Sequence, residues 1–182
     1  MRWIWIDKFI EFESGQRARA IKNISLAEDH LHDHFPGAPM MPNSLIVEGM
    51  AQTGGLLIGE QFAFKKKVIL AKITKATFHF PAVPGDTLTY TAVLQDVRED
   101  GGVVSGTSHV GNRLQAEIDL VFAHLSDDGP KRSFFEPKNF VFTLKLLGVF
   151  DVGTGPDGQP IEPPGLARLR QNQNGHLTDV HG

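Results

Sequence analysis

The sequence predicts an α+β protein in which a curved antiparallel sheet wraps around one long helix. Three observations support this prediction. Two apolar segments separated by a turn signal at residues 14–15 open the chain. A proline-free, largely apolar stretch then runs over about 44–62, and its length favours a helix. Residues 68–125 alternate apolar and polar side chains between turn signals, as half-buried strands do.

The first elements are two strands, a loop and the helix. Residues 3–12 and 17–24 are predicted as paired strands, and residues 25–43 as a proline-rich loop. Asn43 is a favourable N-cap residue and is expected to begin the helix. Because this helix is apolar nearly all round, it should be buried, and a curved sheet would cover it.

The strands after the helix are separated by glycine-containing turns. Pro84-Gly85 suits the two central positions of a turn, and Gly101-Gly102 marks a hairpin. Beyond residue 125 the alternation is lost. We therefore expect a domain at 1–125 and a C-terminal extension at 126–182, with a short helix near 138–147 and then an irregular tail.

Composition excludes several classes of protein. The chain has 182 residues and a formal net charge of -3, whereas nucleic-acid-binding domains are normally basic. It has no cysteine, which excludes disulfides and thiolate metal sites. Asp7 and Lys8 interrupt the apolar start too early for a signal peptide, and no apolar run is long enough to insert into a membrane. A cytoplasmic location is expected.

A narrow polar stripe crosses the predicted helix. Ser44, Glu48 and Gln52 are four residues apart and share one face. A buried, unpaired carboxylate is costly, and its raised pKa makes a usable acid or base near neutral pH. A purely structural role for Glu48 is the alternative, since it lies near the helix start and Gln52 could hydrogen-bond to it.

Histidines precede the helix in the loop. His30, His32 and His34 alternate, so an extended segment would present them on one side and a metal site is one interpretation. Their spacing does not match known metal motifs and no downstream ligands follow, so a metal is not expected. Free backbone N–H groups around residues 43–45 would offer donors to an oxyanion.

The segment HFPGAPMMPNSLIVEGMAQ at 34–52 resembles the signature of FabZ-type 3-hydroxyacyl-[acyl carrier protein] dehydratases, H-F-P-G-x-P-x-x-P-G-x-L-I-x-E-A-x-A-Q. A second block, LAKITKATFHFPAVPGDTL at 70–88, resembles the segment that follows in that family. The resemblance covers roughly residues 20–125. Two departures stand out, since Asn43 replaces the usual Gly and Gly49 replaces the usual Ala.

The resemblance implies a hot-dog fold, a homodimer that can assemble further into a trimer of dimers, and no cofactor. It implies dehydration of a (3R)-3-hydroxyacyl chain on acyl carrier protein to the trans-2-enoyl form, in fatty-acid or related lipid biosynthesis. His34 of one subunit would take the α-proton, and Glu48 of the other would protonate the leaving hydroxyl. The candidate substrate-binding residues beside them are Asn43, Ser44, Gln52 and Phe35.

Two other functions fit the same fold. One is an acyl thioesterase. The other is a non-catalytic protein that binds acyl thioesters, in which Asn43 would be a sign that the catalytic activity has been lost. A basic region also lies between residues 61 and 85, where no acidic residue occurs. Its lysines are either a docking surface for the acidic carrier protein or solvated surface residues. They are Lys65, Lys66, Lys67, Lys72 and Lys75.

Overall fold

The computed structural model describes residues 3–125 and 137–164. Its strands and helices follow one another in the order that the sequence predicts for an α+β domain. In chain order the elements are β1 (Lys8–Glu13), β2 (Arg17–Asn23), α1 (Asp29–Asp33), α2 (Asn43–Glu60), β3 (Lys67–Phe78), β4 (Thr87–Arg98), β5 (Gly101–Val110), β6 (Arg113–Leu125), α3 (Pro137–Leu146), α4 (Val149–Val152) and β7 (Gly153–Thr154).

The strands form one sheet in the order β3-β6-β5-β4-β2-β1-β7. Neighbouring strands are antiparallel, except that β7 pairs with β1 in parallel. Helix α2 packs against β2, β3, β4, β5 and β6. A sheet that contacts one helix through five of its strands confirms the α+β prediction and the hot-dog fold. No helix in the described part of the chain has the length and apolar character needed to cross a bilayer.

Helix α2 begins at Asn43, so the prediction that Asn43 is its N-cap was wrong. Pro42 is the N-cap, with φ -57 and ψ 131, and its carbonyl accepts from the N–H groups of Leu45 and Ile46. Proline suits this place because it has no N–H of its own that would need a partner. The helix is buried along most of its length, as predicted. Its buried residues are Ile46, Val47, Gly49, Met50, Ala51, Thr53, Gly54, Leu57, Ile58 and Gly59.

Two early elements differ from the prediction. The first strand begins at Lys8 rather than at residue 3, because the backbone of residues 3 and 5 binds the side chain of Gln52 on α2 instead of a neighbouring strand. The predicted loop over 25–43 contains the short helix α1. Leu31 of this helix is buried in the core, and this burial stabilises the helical segment.

Both glycine-containing turns that the sequence predicts can be located in the structure. Residues 83–86 form a turn in which the Asp86 N–H donates to the Val83 carbonyl at 3.0 Å and Gly85 has φ +98, as predicted. Gly101-Gly102 marks the hairpin between β4 and β5, as predicted, although the two glycines open β5 and the turn itself lies at 99–100. Neither position has room for a side chain, because β6 lies close to Gly101, and Ile58 of α2 and the Asp96 carbonyl of β4 lie close to Gly102. A Cβ on Gly101 would collide with the Phe122 carbonyl oxygen.

The described part of the C-terminal extension packs against β1. The Phe9 N–H donates to the Leu147 carbonyl at 2.8 Å, and the Ser14 N–H donates to the Thr154 carbonyl at 2.9 Å. Helix α3 occupies the place where the sequence predicts a short helix. Residues 126–136 and 165–182, including most of the predicted irregular tail, lie outside the described residues. The extension's core residues are Leu144, Leu147 and Val149.

Candidate active site

His34 follows α1 and is partly buried. Its Nδ1 lies 3.0 Å from the Met40 carbonyl oxygen. A carbonyl only accepts, so Nδ1 carries the hydrogen and Nε2 of the neutral ring keeps its lone pair. The Phe35 ring stacks on the imidazole, with 4.2 Å between the ring centroids and 26° between the planes. His34 is therefore held in the tautomer that a general base requires.

Glu48 lies in the second turn of α2 and is also only partly buried within one chain. The expectation of a fully buried carboxylate was thus wrong for the isolated chain. Gln52 Nε2 donates to Glu48 Oε1 at 2.9 Å, as the four-residue spacing predicts. No other hydrogen bond or ion pair to Glu48 occurs among residues 3–125 and 137–164. One carboxylate oxygen is positioned and the other is available.

The start of α2 offers backbone donors. The N–H groups of Asn43 and Ser44 have no acceptor among the described residues, as is usual in a first helical turn. The Leu45 N–H, expected to be free as well, is not, because it donates to the Pro42 carbonyl at 2.9 Å. Asn43 and Ser44 are exposed, and so is Phe35 at 52%. Two N–H groups are consequently available for an oxyanion.

The premise for a histidine metal site was wrong. His30 and His32 lie on α1 rather than on an extended segment, so the three histidines do not share a face. His32 Nε2 lies 2.9 Å from the Leu26 carbonyl oxygen, and the His30 ring packs edge-on against Trp5. Each histidine has a different local partner because the helix turns successive side chains away from one another.

The five lysines divide between free and paired side chains. Lys66 pairs with Glu99 and lies over the Phe62 ring, and Lys75 pairs with Glu117 at 3.0 Å. Lys65 and Lys72 are exposed, with no partner in the described part of the chain. Lys65, Lys66 and Lys67 line a cleft of about 410 Å³ with Glu99, Asp100, His124 and Leu125.

Within one chain the structure does not join His34 to Glu48. His34 bonds to the loop backbone and Glu48 bonds along its own helix, and no hydrogen bond or ion pair links the two in the described residues. Two further contributors were missed from the sequence, namely the Met40 carbonyl and the backbone of the segment at residues 3–5. Backbone groups carry no side-chain signal, so no pattern could have revealed them.

Comparison with known proteins assigns the family. The FabA-like domain model matches residues 3–116. The 3-hydroxyacyl-[acyl-carrier-protein] dehydratase FabZ of Symbiobacterium thermophilum is 39% identical over 122 residues, which cover 66% of this chain and 86% of that protein. Among solved structures, the dehydratase heterocomplex ApeI:P from Xenorhabdus doucetiae has a TM-score of 0.58 at 15% identity, covering 68% of this chain and 84% of that one.

The same fold also occurs with other chemistry. A thioesterase from Haemophilus influenzae has a TM-score of 0.52 at 14% identity, covering 65% of this chain and 78% of that one. Such distant likenesses indicate the fold alone, whereas the family model spans more than half of the chain. The segment with His34 and Glu48 lies within the matched region. The chain belongs to the FabA-like family and, within it, to the FabZ-type dehydratases.

Proposed function

We propose that this protein dehydrates a (3R)-3-hydroxyacyl chain carried on acyl carrier protein to the trans-2-enoyl form, in fatty-acid or related lipid biosynthesis. One observation carries the proposal. Among residues 3–125 and 137–164, His34 Nε2 has no partner because Nδ1 is the ring nitrogen bonded to Met40, and one Glu48 carboxylate oxygen has none because the other is bonded to Gln52. A fixed base and a fixed acid are the two groups that this elimination requires.

The proposed reaction conserves atoms and charge. His34 Nε2 removes the α-proton, and the electron pair of that C–H bond forms the double bond as the C3–O bond breaks. Glu48, in its protonated form, donates its proton to the departing hydroxyl, which leaves as water. The Asn43 and Ser44 N–H groups would hold the thioester oxygen as negative charge develops on it. Return of the proton from His34 to Glu48 restores the starting state.

We further propose that the working form is a homodimer joined along β3. This strand lies at one end of the sheet, so one of its edges has no neighbouring strand in the described part of the chain. It is 12 residues long and exposed over most of its length, and it exposes three large apolar side chains. These are Ile69 at 39%, Leu70 at 36% and Ile73 at 46%. Long apolar edges are normally covered by pairing, and a second copy would bring a second His34 toward Glu48.

The carrier protein would dock on the lysine cluster. Lys65 and Lys72 are free to meet an acidic partner, whereas Lys66 and Lys75 would have to exchange their present carboxylates.

We also propose a cytoplasmic location, which rests on the sequence. Residues 1–125 would form the catalytic domain, and the extension at 126–182 would support it by covering β1.

The direct test follows the ultraviolet absorbance of the conjugated enoyl product from 3-hydroxyacyl thioesters on acyl carrier protein. The wild-type protein should form product, and Glu48→Gln should lose about a thousandfold or more in kcat because the acid is gone. Glu60→Gln is the matched control, because it removes a carboxylate from the other end of the same helix. This control should keep wild-type turnover.

The same assay separates the other functions. Release of free thiol without enoyl product would identify a thioesterase. Tight binding of acyl thioesters without turnover, over short, medium and long chains, would identify a binding protein. Either result would refute the dehydratase proposal.

A further inference from the structure

We propose that the backbone at residues 3–5 is a positioning element for Glu48, acting through the side chain of Gln52. The inference rests on the proposed function, since it assigns a role in placing the acid of that reaction. The element comprises the Trp3 carbonyl and the Trp5 N–H, and we call it the backbone clamp. Both of its hydrogen bonds are made to Gln52, so we assign it a positioning role rather than a catalytic one.

The clamp makes two hydrogen bonds to one amide. The Trp5 N–H donates to Gln52 Oε1 at 2.8 Å, and Gln52 Nε2 donates to the Trp3 carbonyl at 3.1 Å. The same Nε2 donates its second hydrogen to Glu48 Oε1 at 2.9 Å. Gln52 therefore uses both hydrogens of its NH₂ group, one on the clamp and one on the candidate acid.

Donor and acceptor chemistry permits only one orientation of the Gln52 amide. A backbone N–H can only donate, so the atom opposite Trp5 must be the amide oxygen. The Trp3 carbonyl and a Glu48 carboxylate can only accept, so both must face the NH₂ group. A flipped amide would place its oxygen against two acceptors and its NH₂ against a donor. The clamp thus dictates which end of Gln52 meets Glu48.

The clamp is itself anchored on both sides. The Trp3 and Trp5 rings pack edge to face with centroids 5.2 Å apart, and Trp5 packs in the same way on His30 at 5.2 Å. At the other end, Ile6 is buried, and the Asp7 carboxylate accepts from the Asn23 backbone N–H at 2.6 Å. These contacts restrain a segment that belongs to no strand.

Positional restraint of this kind matters for a proton donor. A glutamate has three rotatable side-chain bonds, and proton transfer requires a narrow range of donor geometry. Among the residues that the structure describes, Gln52 alone hydrogen-bonds to the Glu48 carboxylate. Loosening Gln52 should therefore lower the rate of the chemical step and leave substrate binding unchanged.

The test removes one clamp hydrogen bond without altering any side chain. Trp5 is replaced by its α-hydroxy analogue, indole-3-lactic acid, in semisynthetic full-length protein, so that an ester oxygen replaces the N–H. The matched control is the same exchange at Ile6, whose N–H has no acceptor among residues 3–125 and 137–164. Turnover of hydroxyacyl carrier protein and the melting temperature are measured for each.

We expect kcat to fall about tenfold for the residue-5 ester, with KM unchanged within about twofold and the control at the wild-type value. Gln52→Met, which keeps the length of the side chain, should reproduce the loss. In the Gln52→Met background the residue-5 ester should have no further effect, because both changes break one pathway.

The outcomes separate the two proposals. An inactive wild-type protein would refute the proposed function. An active wild type whose residue-5 ester keeps full kcat, or loses no more than the Ile6 control, would overturn the clamp. So would independent, multiplying losses from the ester and Gln52→Met, or a fall in melting temperature with kcat unchanged at temperatures where the protein is folded.

Discussion

The ring of Tyr90 fills the space that a side chain at residue 49 would occupy. An ideal Cβ built on Gly49 would lie 2.7 Å from Cε2, 2.8 Å from Cζ and 2.8 Å from Oη of Tyr90. Tyr90 is fully buried on β4, and its burial raises the pKa of the phenol, with a smaller contribution from the charge of Asp7. Glycine at position 49 therefore leaves room for the Tyr90 ring, which explains the departure from the usual alanine.

Gly49→Ala should destabilise the protein by about 1–3 kcal/mol through overpacking, although alanine in an unhindered helix is about 1 kcal/mol better than glycine. Urea unfolding measures the difference. Gly59→Ala is the control on the same helix, since its nearest atoms would lie at 3.5 Å, an ordinary contact, and it should stabilise. In a Tyr90→Leu background the cost of Gly49→Ala should largely vanish, and an unchanged cost would contradict the pairing.

The ion pair of Lys22 and Glu28 should make the free energy of unfolding depend on pH. Their side chains are 10% and 24% exposed and lie 2.6 Å apart. Burial acts to raise the pKa of the Glu28 carboxyl, but hydrogen bonds from Lys22 and the Ser25 N–H, with the Lys22 charge, outweigh it and hold the pKa below its ordinary value. Because the Glu28 pKa is lower in the folded than in the unfolded state, the carboxylate stabilises the folded protein above the unfolded-state pKa. This stabilisation is lost as pH falls through the folded-state pKa.

Glu28→Gln should accordingly cost about 1–2 kcal/mol at pH 7, and this cost should shrink as pH is lowered from 7 through the pKa of the folded carboxyl. The measurement is urea unfolding of both proteins across this range. Glu99→Gln serves as the comparison, because that carboxylate pairs with Lys66 but is 89% exposed, and its loss should change stability by less than about 0.5 kcal/mol. A pH-independent difference for Glu28→Gln would show that the ion pair is not its source.

The proposed β3 interface predicts that a charge on this edge separates the subunits. Ile73→Asp should convert the dimer to a monomer in sedimentation equilibrium, because a carboxylate would be desolvated at the interface. Turnover should fall with it, since His34 and Glu48 do not meet within one chain. Val93→Asp changes a residue of similar exposure, 39%, on the interior strand β4 and should leave the dimer intact. A dimeric, active Ile73→Asp would rule out this interface.

The docking proposal predicts a change in KM that depends on the carrier. Reversing both free lysines, Lys65→Glu with Lys72→Glu, should raise KM about tenfold or more for a carrier-bound substrate, most clearly at low salt. KM for a short pantetheine thioester should be unchanged, because that substrate carries no acidic protein. Lys8→Glu with Lys145→Glu is the control, because it changes the net charge by the same amount at exposed lysines of β1 and α3. Equal effects on both substrates would argue against carrier docking.

Local chemistry made much of this protein predictable. Helix α2 and the alternating strands follow from side-chain periodicity, which each segment expresses without reference to the rest. The positions of His34 and Glu48 follow from one short segment, and the spacing of Glu48 and Gln52 predicts the hydrogen bond between them. These features depend on residues that are near in the chain.

Other features depend on which distant segments meet. The clamp joins Gln52 to Trp3 and Trp5, which are 49 and 47 residues away, and Gly49 is explained only by Tyr90 on another strand. Gly101 and Gly102 likewise begin β5 rather than form the turn of the predicted hairpin, because neighbouring segments leave no room for a side chain at either position.

The fold class, the central helix and the two residues of the proposed chemistry can all be predicted from the amino-acid sequence. The tautomer of His34, the partial exposure of Glu48 and the orientation of Gln52 become known from the folded chain alone. This difference arises because hydrophobic periodicity and turn preference act over a few residues, whereas hydrogen-bond partners and close contacts are set by packing across the sheet and helix.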